Sequence, residues 1–164
     1  MKKILDYQNA TGIRVLSAKY WQHQNLNIIE LYLSMDYRII LGPAIIPDLK
    51  IYRNKNKTIR EPHFVLFTAE TISQIRTKFH AKKHDNNVNI EHSGVQVQNV
   101  KLIQSFLLDN QTRHSLPTEF HDLPNGTWMI SYKIENNEIW EKIKDKKLNG
   151  FSVEGLFDYG KQIE

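Results

Sequence analysis

Hydrophobic and polar residues alternate along several separate stretches of the chain, which is the pattern of half-buried β-strands. The longest such stretch covers residues 95–109, VQVQNVKLIQSFLLD, and a second covers residues 127–134, TWMISYKI. Residues 27–46 are rich in β-branched and aromatic residues, and the polar break at Ser34–Asp36 predicts a hairpin-like reversal between two strands. Shorter strands are predicted at 11–18 (TGIRVLSA), 63–67 (HFVLF), 88–92 (VNIEH) and 148–157 (LNGFSVEGLF).

Two other stretches have the spacing of amphipathic helices. The first follows Thr68, which is a predicted N-cap, and the second covers residues 136–147, where Asn136 or Asn137 is expected to cap the first turn. In both stretches lysines gather towards the end, where positive charge suits the helix dipole. The inner face of the first helix is predicted to contain Ala69, Ile72, Ile75, Arg76 and Phe79.

Polar segments separate these elements. Residues 47–62 are bounded by prolines and predict an exposed loop, and residues 110–126 predict a second long loop. The order of elements predicts the α+β class: mainly β, with a β-barrel or a strongly curved mixed sheet flanked by two or more helices. Because the chain has 164 residues and 40% of them are hydrophobic, a single domain over residues 1–164 is expected.

Composition excludes several kinds of chemistry. The chain has no cysteine, which excludes disulfides, thiol catalysis and cysteine-ligated zinc. No apolar stretch approaches the roughly 20 residues that span a bilayer, and the start MKKILDYQN lacks the apolar core of a secretory signal. We therefore expect no membrane partner. The net charge is +4, but the lysines are scattered or lie at helix ends, so a solvated surface is favoured over nucleic-acid binding.

Two short motifs carry residues suited to acyl transfer. NIEHSG places His92 near the end of one predicted strand, and LNGFSVEG places Ser152 within another. A serine hydroxyl becomes a good nucleophile when a base takes its proton, so this pair suggests a serine hydrolase. The chain has no GxSxG elbow, and the surroundings of His92 and Ser152 differ from those in chymotrypsin and subtilisin.

A wider set of motifs surrounds this pair. Six blocks follow one another along about residues 40–157: GPAIIPDLKIYR (42–53), HFVLFTAETI (63–72), NIEHSG (89–94), PNGTWMISYKI (124–134), EIWEKIK (138–144) and GFSVEG (150–155). In this order they resemble the XkdF-type phage serine proteases. These are part of the broader group of phage prohead proteases, which is related to the herpesvirus assemblin proteases.

The resemblance implies a maturation protease with a β-barrel core that acts inside the assembling prohead. It would act in the host cytoplasm or, if prophage-encoded, in the bacterial cytoplasm. The implied partners are the scaffold protein and the major capsid protein, as substrates. His92 is implied as the general base and Ser152 as the nucleophile, with no cofactor and no metal. Relatives of this kind often self-associate, so a homo-oligomer is also an expectation.

The third member of the site is open between three residues. A strand has a period of two, so Ser152 and Glu154 are expected to share a face, which favours Glu154 as the group that orients His92. Asp109, at the end of the longest predicted strand, is one alternative. His114, in the following loop, is the other, because assemblin-type sites use a second histidine.

Other interpretations compete with proteolysis. One is a catalytically inactive structural or scaffold-binding domain of phage assembly with the same fold, since the third catalytic residue is unassigned. Another is a basic nucleic-acid-binding module, which predicts strongly salt-dependent DNA affinity. His80 and His84 have the i, i+4 spacing of metal-binding histidines, but no HExxH carboxylate accompanies them, so a metal site is disfavoured. Arg113 in the long loop is considered as a contributor to the oxyanion hole.

Overall fold

The computed structural model describes residues 4–11, 31–54, 60–91, 93–153 and 155–163. In these ranges the chain forms eight strands and two α-helices. The helices are α1 (Ala69–Ala81) and α2 (Asn137–Lys144). The strands are β1 (Ile4–Thr11), β2 (Tyr32–Ser34), β3 (Ile39–Ile45), β4 (Ile51–Arg53), β5 (His63–Leu66), β6 (Val100–Leu107), β7 (Trp128–Ile134) and β8 (Leu156–Ile163).

The first sheet has the strand order β4-β5-β1-β8. In its interior, β1 pairs in parallel with β5 and antiparallel with β8, so that Ile4 lies between Phe64 and Ile163. On the outer side of β5, Tyr52 of β4 meets Phe64 edge-on, with ring centroids 5.7 Å apart. The segment 47–62, predicted to be a loop, therefore contains a short edge strand. That strand is specified by its pairing with β5 more than by its own polar sequence.

The second sheet is antiparallel throughout, with the order β2-β3-β7-β6. The turn at 35–38 joins β2 to β3, which confirms the predicted reversal. The predicted strand at 127–134 is confirmed as β7, which is buried along nearly its whole length. In the pairing of β6 with β7 the register shifts between Leu102 and Gln104, so Ile103 is an extra residue that forms a β-bulge.

The two helices begin where side-chain caps were predicted. The Thr68 hydroxyl accepts a hydrogen bond from the amide of Thr71 at 3.2 Å, and Asn136 Oδ1 accepts one from the amide of Ile139 at 3.1 Å. Each cap satisfies one of the amides that a helix start leaves without a partner. The predicted inner face of α1 is largely confirmed, since Ile72, Ile75 and Phe79 are buried.

The core has two parts, on opposite faces of the second sheet. Successive residues of a strand point to opposite faces, and β7 supplies both parts. Trp128 belongs to the larger part, together with residues of both helices, and Met129 belongs to the smaller part beneath the loop before β7. The smaller part consists of Leu108, Phe120, Leu123 and Met129.

The predicted class is confirmed: the described chain is mixed α+β, mainly sheet, with two α-helices. The expectation of a β-barrel or a strongly curved mixed sheet is confirmed only in part, because the two sheets are not closed into a barrel. In the described ranges the end strands β4 and β8 of the first sheet do not pair with each other, nor do β2 and β6 of the second. Closure of a barrel requires that pairing.

The part of the chain that the structure describes also contains no helix long and apolar enough to cross a membrane.

Two predicted strands are replaced by irregular structure. In the predicted strand 148–157, regular pairing begins only at Leu156, where β1 offers a partner. In the predicted strand 88–92, the described residues form no regular strand: Asn89 and Ile90 are bridge residues, and Asn89 pairs with Gln96. Glu91 has a φ of 49°, which is left-handed and ends any extended run there. The predicted strand at 11–18 lies outside the described residues except for Thr11.

Candidate active site

Ser152 lies in the irregular segment between α2 and β8. It is half-buried and follows Phe151, whose side chain is only 2% exposed. The ring of Phe151 packs 5.8 Å from that of Tyr132, measured between centroids. A Cβ at Gly42 would lie 3.4 Å from the Phe151 ring and 2.8 Å from Leu31 Cδ2, so glycine in β3 makes room for this packing. Phe151 thus fixes the chain next to Ser152 against the second sheet.

His92 and Glu154 lie outside the described residues, so their catalytic roles stay predictions. The neighbours of His92 are described, and the Ser93 amide donates a hydrogen bond to the Ile90 carbonyl at 3.0 Å. Ser152 and Val153 lie outside the regular strands, so the expectation that Glu154 shares the face of Ser152 stays a prediction.

Asp109, one alternative for the third member, is committed to a turn. Its Oδ1 accepts hydrogen bonds from the Gln111 amide at 2.9 Å, the Thr112 amide at 2.7 Å and the Thr112 hydroxyl at 2.8 Å. The hydrogen bond from the Thr112 amide is the main reason why the pKa of Asp109 is lowered. A carboxylate with these partners holds the turn that leads into the 3₁₀ helix at 112–115.

The other loop residues show no convergence on Ser152. His114 is exposed on that same short helix. The guanidinium of Arg113 donates to the carbonyls of His121 and Leu123 and to Asn125 Oδ1. Arg113 therefore ties the long loop together, and these contacts speak against its suggested part in an oxyanion hole.

A different serine sits in a hydrogen-bonded chain with a histidine and an aspartate. Ser105 Oγ lies 2.7 Å from His80 Nε2, and His80 Nδ1 lies 2.5 Å from Asp85 Oδ1. Ser105 is on β6, His80 is near the end of α1, and Asp85 is in the turn that follows the helix. The order of groups, hydroxyl to imidazole to carboxylate, is that of a serine hydrolase triad.

Hydrogen-bond counting fixes the direction of this chain. Ser105 Oγ also lies 2.9 Å from Trp128 Nε1 and 3.2 Å from Arg76 Nε, and both of these nitrogens can only donate. A hydroxyl oxygen has two lone pairs, so these two donors occupy both. The hydroxyl proton of Ser105 therefore points to His80 Nε2, and the His80 ring carries its own proton on Nδ1, towards Asp85.

Neighbouring elements hold the three groups in place. The Tyr132 hydroxyl, on β7, donates to the carbonyl oxygen of Asp85 at 3.1 Å. Burial raises the pKa of Tyr132, and the Asp85 carboxylate raises it further, so the hydroxyl stays protonated and keeps donating. On the other side, Arg76 Nη2 donates to the carbonyl oxygen of Ser105 at 2.6 Å. The bulge at Ile103 lies two residues before Ser105 and changes which side chains of β6 face α1.

A surface cavity of about 270 Å³ opens beside this serine. Ser105 and His80 both line it, and each is only partly buried. The cavity is therefore continuous with solvent at the two reactive groups. Its lining residues are Arg76, His80, Leu102, Ile103, Gln104 and Ser105.

Sequence reasoning did not find this group. The sequence pairs His80 only with His84, as a metal-binding candidate, whereas both ring nitrogens of His80 are engaged with Ser105 and Asp85. One signal was present: Arg76 and His80 are four residues apart and therefore share a helix face. No local pattern could tell which strand that face meets.

Comparison with known proteins bears on the whole of this region. No curated protein and no solved structure gives a match to the chain. A family model described as "Putative phage serine protease XkdF" matches residues 55–161, about two thirds of the chain. The matched range contains both His92 and Ser152, as well as the Ser105 group. On this match the chain belongs to the family of XkdF-type phage serine proteases.

Proposed function

We propose that the protein is a serine endopeptidase of phage capsid maturation, which cleaves the scaffold protein, the major capsid protein or both inside the prohead. The observation that carries the proposal is the family match over residues 55–161. The EH motif with His92 and the GFS motif with Ser152 both fall within it. Membership of a serine protease family makes a serine nucleophile and a proton acceptor the required parts.

In the proposed mechanism His92 takes the proton of the Ser152 hydroxyl as the oxygen attacks the scissile carbonyl. The imidazolium then gives that proton to the leaving amine, and water hydrolyses the acyl-enzyme with His92 again acting as base. Gly150 and Gly155 flank the serine and leave space for a substrate backbone. Glu154 is proposed to orient His92, and the turn contacts of Asp109 make that residue a weaker candidate.

The test is co-expression of the chain with the scaffold and capsid proteins that accompany it, followed by mass spectrometry of the fragments. Ser152→Ala is expected to lower the cleavage rate by at least about 10³-fold, because loss of a triad member removes nearly all covalent catalysis. His92→Ala is expected to act similarly. Ser115→Ala is the matched control, since Ser115 is an exposed serine in the loop, bonded to the Thr112 carbonyl.

Equal fragment patterns from the wild type and Ser152→Ala would sink this proposal. If both proteins are folded and neither cleaves, the chain is better described as an inactive structural or scaffold-binding domain of phage assembly. That result would also remove the need for a third catalytic residue at Glu154.

A further inference from the structure

We propose that Ser105 is a second activated nucleophile, with His80 as its general base and Asp85 as a positioning residue. Its substrates would be small carboxylic esters bound in the adjacent cavity. This inference does not rest on the function proposed for Ser152, because it uses none of the same side chains. It rests on the geometry of α1, β6 and the turn that follows α1.

The Ser105 hydroxyl is already directed at its base. Because two donors occupy both lone pairs of Ser105 Oγ, its proton points to His80 Nε2, which lies 2.7 Å from that oxygen. That requires a ring that is neutral and protonated on Nδ1, which Asp85 Oδ1 holds at 2.5 Å. A serine that already donates to a neutral, carboxylate-oriented imidazole is in the resting state of an acyl-transfer enzyme.

A hydrogen-bond donor lies beside the oxygen on which charge develops during the reaction, Ser105 Oγ. When the proton moves to His80, negative charge develops on Ser105 Oγ and positive charge on the ring. The indole N–H of Trp128, fully buried, lies 2.9 Å from that oxygen and stabilises the charge. The Arg76 Nε contact is the longest of the three, at 3.2 Å. Its release frees a lone pair for attack, while the guanidinium stays bound to the Ser105 carbonyl at 2.6 Å.

The cavity beside Ser105 limits the class of substrate. The cavity holds about 270 Å³, which limits the ligand to a small molecule or to one side chain and its ester group. Leu102 and Ile103 supply apolar wall for a short acyl chain. Arg76 and Gln104 supply N–H donors for a carbonyl oxygen. A short-chain carboxylic ester matches both parts of this lining.

The reaction balances with water as the co-reactant. A bond forms between Ser105 Oγ and the acyl carbon, and the bond from that carbon to the alkoxy oxygen breaks. The hydroxyl proton passes to His80 Nε2 and then to the departing alcohol. Water next attacks the acyl carbon, gives one proton to His80, and releases the carboxylic acid as the Ser105 oxygen recovers its proton.

The experiment uses a fluorophosphonate probe on the full chain carrying Ser152→Ala, so that Ser152 cannot react. Labelling forms an Oγ–P bond and breaks the P–F bond, with fluoride leaving and the proton passing to His80. Peptide mapping by mass spectrometry locates the adduct. We expect label on the β6 peptide that contains Ser105, none there in Ser105→Ala, and at least about a 100-fold slower reaction in His80→Gln.

Asp85→Asn tests the positioning role with a readout that a merely structural role would not move. With p-nitrophenyl acetate as substrate, we expect kcat to fall by at least about 100-fold while KM stays within about twofold, because the ester does not touch Asp85. Ser115→Ala is the control for non-specific serine labelling, and thermal melting confirms that each variant is compared in its folded state.

The absence of label on Ser105 in folded Ser152→Ala protein would overturn the proposal. So would labelling of Ser105 at an unchanged rate in His80→Gln, a variant that keeps the serine and its Trp128 contact. Either result leaves the scaffold-cleavage test of Ser152 unaffected, so the two proposals fail separately.

Discussion

At the scale of single residues, Asp109 shows how a carboxylate near a candidate site is assigned by its contacts. All three hydrogen bonds to its Oδ1 come from the two residues that begin the next turn, Gln111 and Thr112. Such a residue organises the loop and has no described contact with Ser152. We therefore separate its effect on stability from its effect on catalysis.

Asp109→Ala is expected to lower the melting temperature on the order of 2–4 °C and to leave scaffold cleavage at the wild-type level. The loss comes from the Gln111 and Thr112 amides, which lose the carboxylate that accepts their hydrogen bonds. Calorimetry and the co-expression assay measure the two effects. Loss of cleavage with an unchanged melting temperature would instead make Asp109 the third catalytic residue.

Tyr132 makes a prediction about alkaline stability. Burial and the Asp85 carboxylate raise its pKa above the ordinary value of 10.0 that applies in the unfolded chain. Above pH 10 the unfolded state therefore loses this proton first, and the free energy of unfolding falls as the pH rises. Below pH 10 the hydroxyl is protonated in both states, and its stabilising contribution is fully present.

Tyr132→Phe is expected to cost about 1 kcal/mol at pH 8, because the hydrogen bond to the Asp85 carbonyl is lost. Above pH 10 the advantage of the wild type should fall by up to about 1.4 kcal/mol per pH unit and reverse near pH 11, since phenylalanine does not titrate. Urea unfolding from pH 8 to 11.5 measures this. A difference that is constant across the range would contradict the shifted pKa.

The residue scale also shows what sequence could predict. The caps at Thr68 and Asn136 were predictable because each depends only on a side chain and an amide three residues away. The Ser105 group was not, because its members are brought together by the docking of α1 on β6. Ser105 and His80 are separated by the whole segment that turns between these elements.

At the scale of elements, the start of α1 and the turn before β7 are packed tightly together. Gly126 has a φ of 85°, and a Cβ added there would lie 2.7 Å from the Cβ of Ala69, the first residue of α1. Gly94 has a similar φ of 73°, but nothing lies within 4 Å of its added Cβ. The two glycines therefore separate backbone strain from crowding.

Gly126→Ala is expected to reduce the free energy of unfolding by about 2–4 kcal/mol, the sum of left-handed strain and overpacking. Gly94→Ala carries the strain alone and should cost about 1 kcal/mol. Denaturant unfolding of the two variants gives the comparison. Equal losses in both would show that the Ala69 contact relaxes without cost and that the turn is not clamped by α1.

On the outer edge of β6, side chains are hydrogen-bonded to backbone groups of the strand. Along its outer side the Leu102 amide donates to Asn86 Oδ1 at 3.4 Å, and the Ser105 carbonyl accepts from Arg76. Side chains thus occupy backbone groups that an incoming strand would need. A substrate that adds as a strand is therefore disfavoured at this edge, and the cavity is the more accessible feature here.

Helices and strands were predicted correctly where their own sequence specifies them. They were not where pairing with a distant strand decides the structure. The helix α1 and the strand β7 follow from their own periodicity. The strand β4 and the irregular chain around Ser152 do not, because pairing depends on whether β5 or β1 lies alongside. The apolar residues at 148–153 are explained instead by the burial of Leu148 and Phe151 in the core.

At the scale of the whole molecule, the class follows from the order of elements, but closure does not. Alternating strands predicted a curved sheet or barrel, and the described chain instead divides them between two sheets. Consecutive strands often belong to different sheets here: β3 pairs with β7, and β5 pairs with β1. Pairings between strands so distant in sequence cannot be predicted from the local sequence of either strand.

The pairing of β1 with β8 has a consequence for the order of folding. One edge of β1 can be filled only after the chain as far as Ile163 has left the ribosome, because its partner there is β8. The segment with Ser152 is tethered at one end by Phe151 in the core and at the other by β8. The pairing of β1 with β8 closes a loop that contains most of the described chain, and this is slow compared with local folding. A newly made chain therefore orders the surroundings of Ser152 only after β8 has been made and has paired with β1.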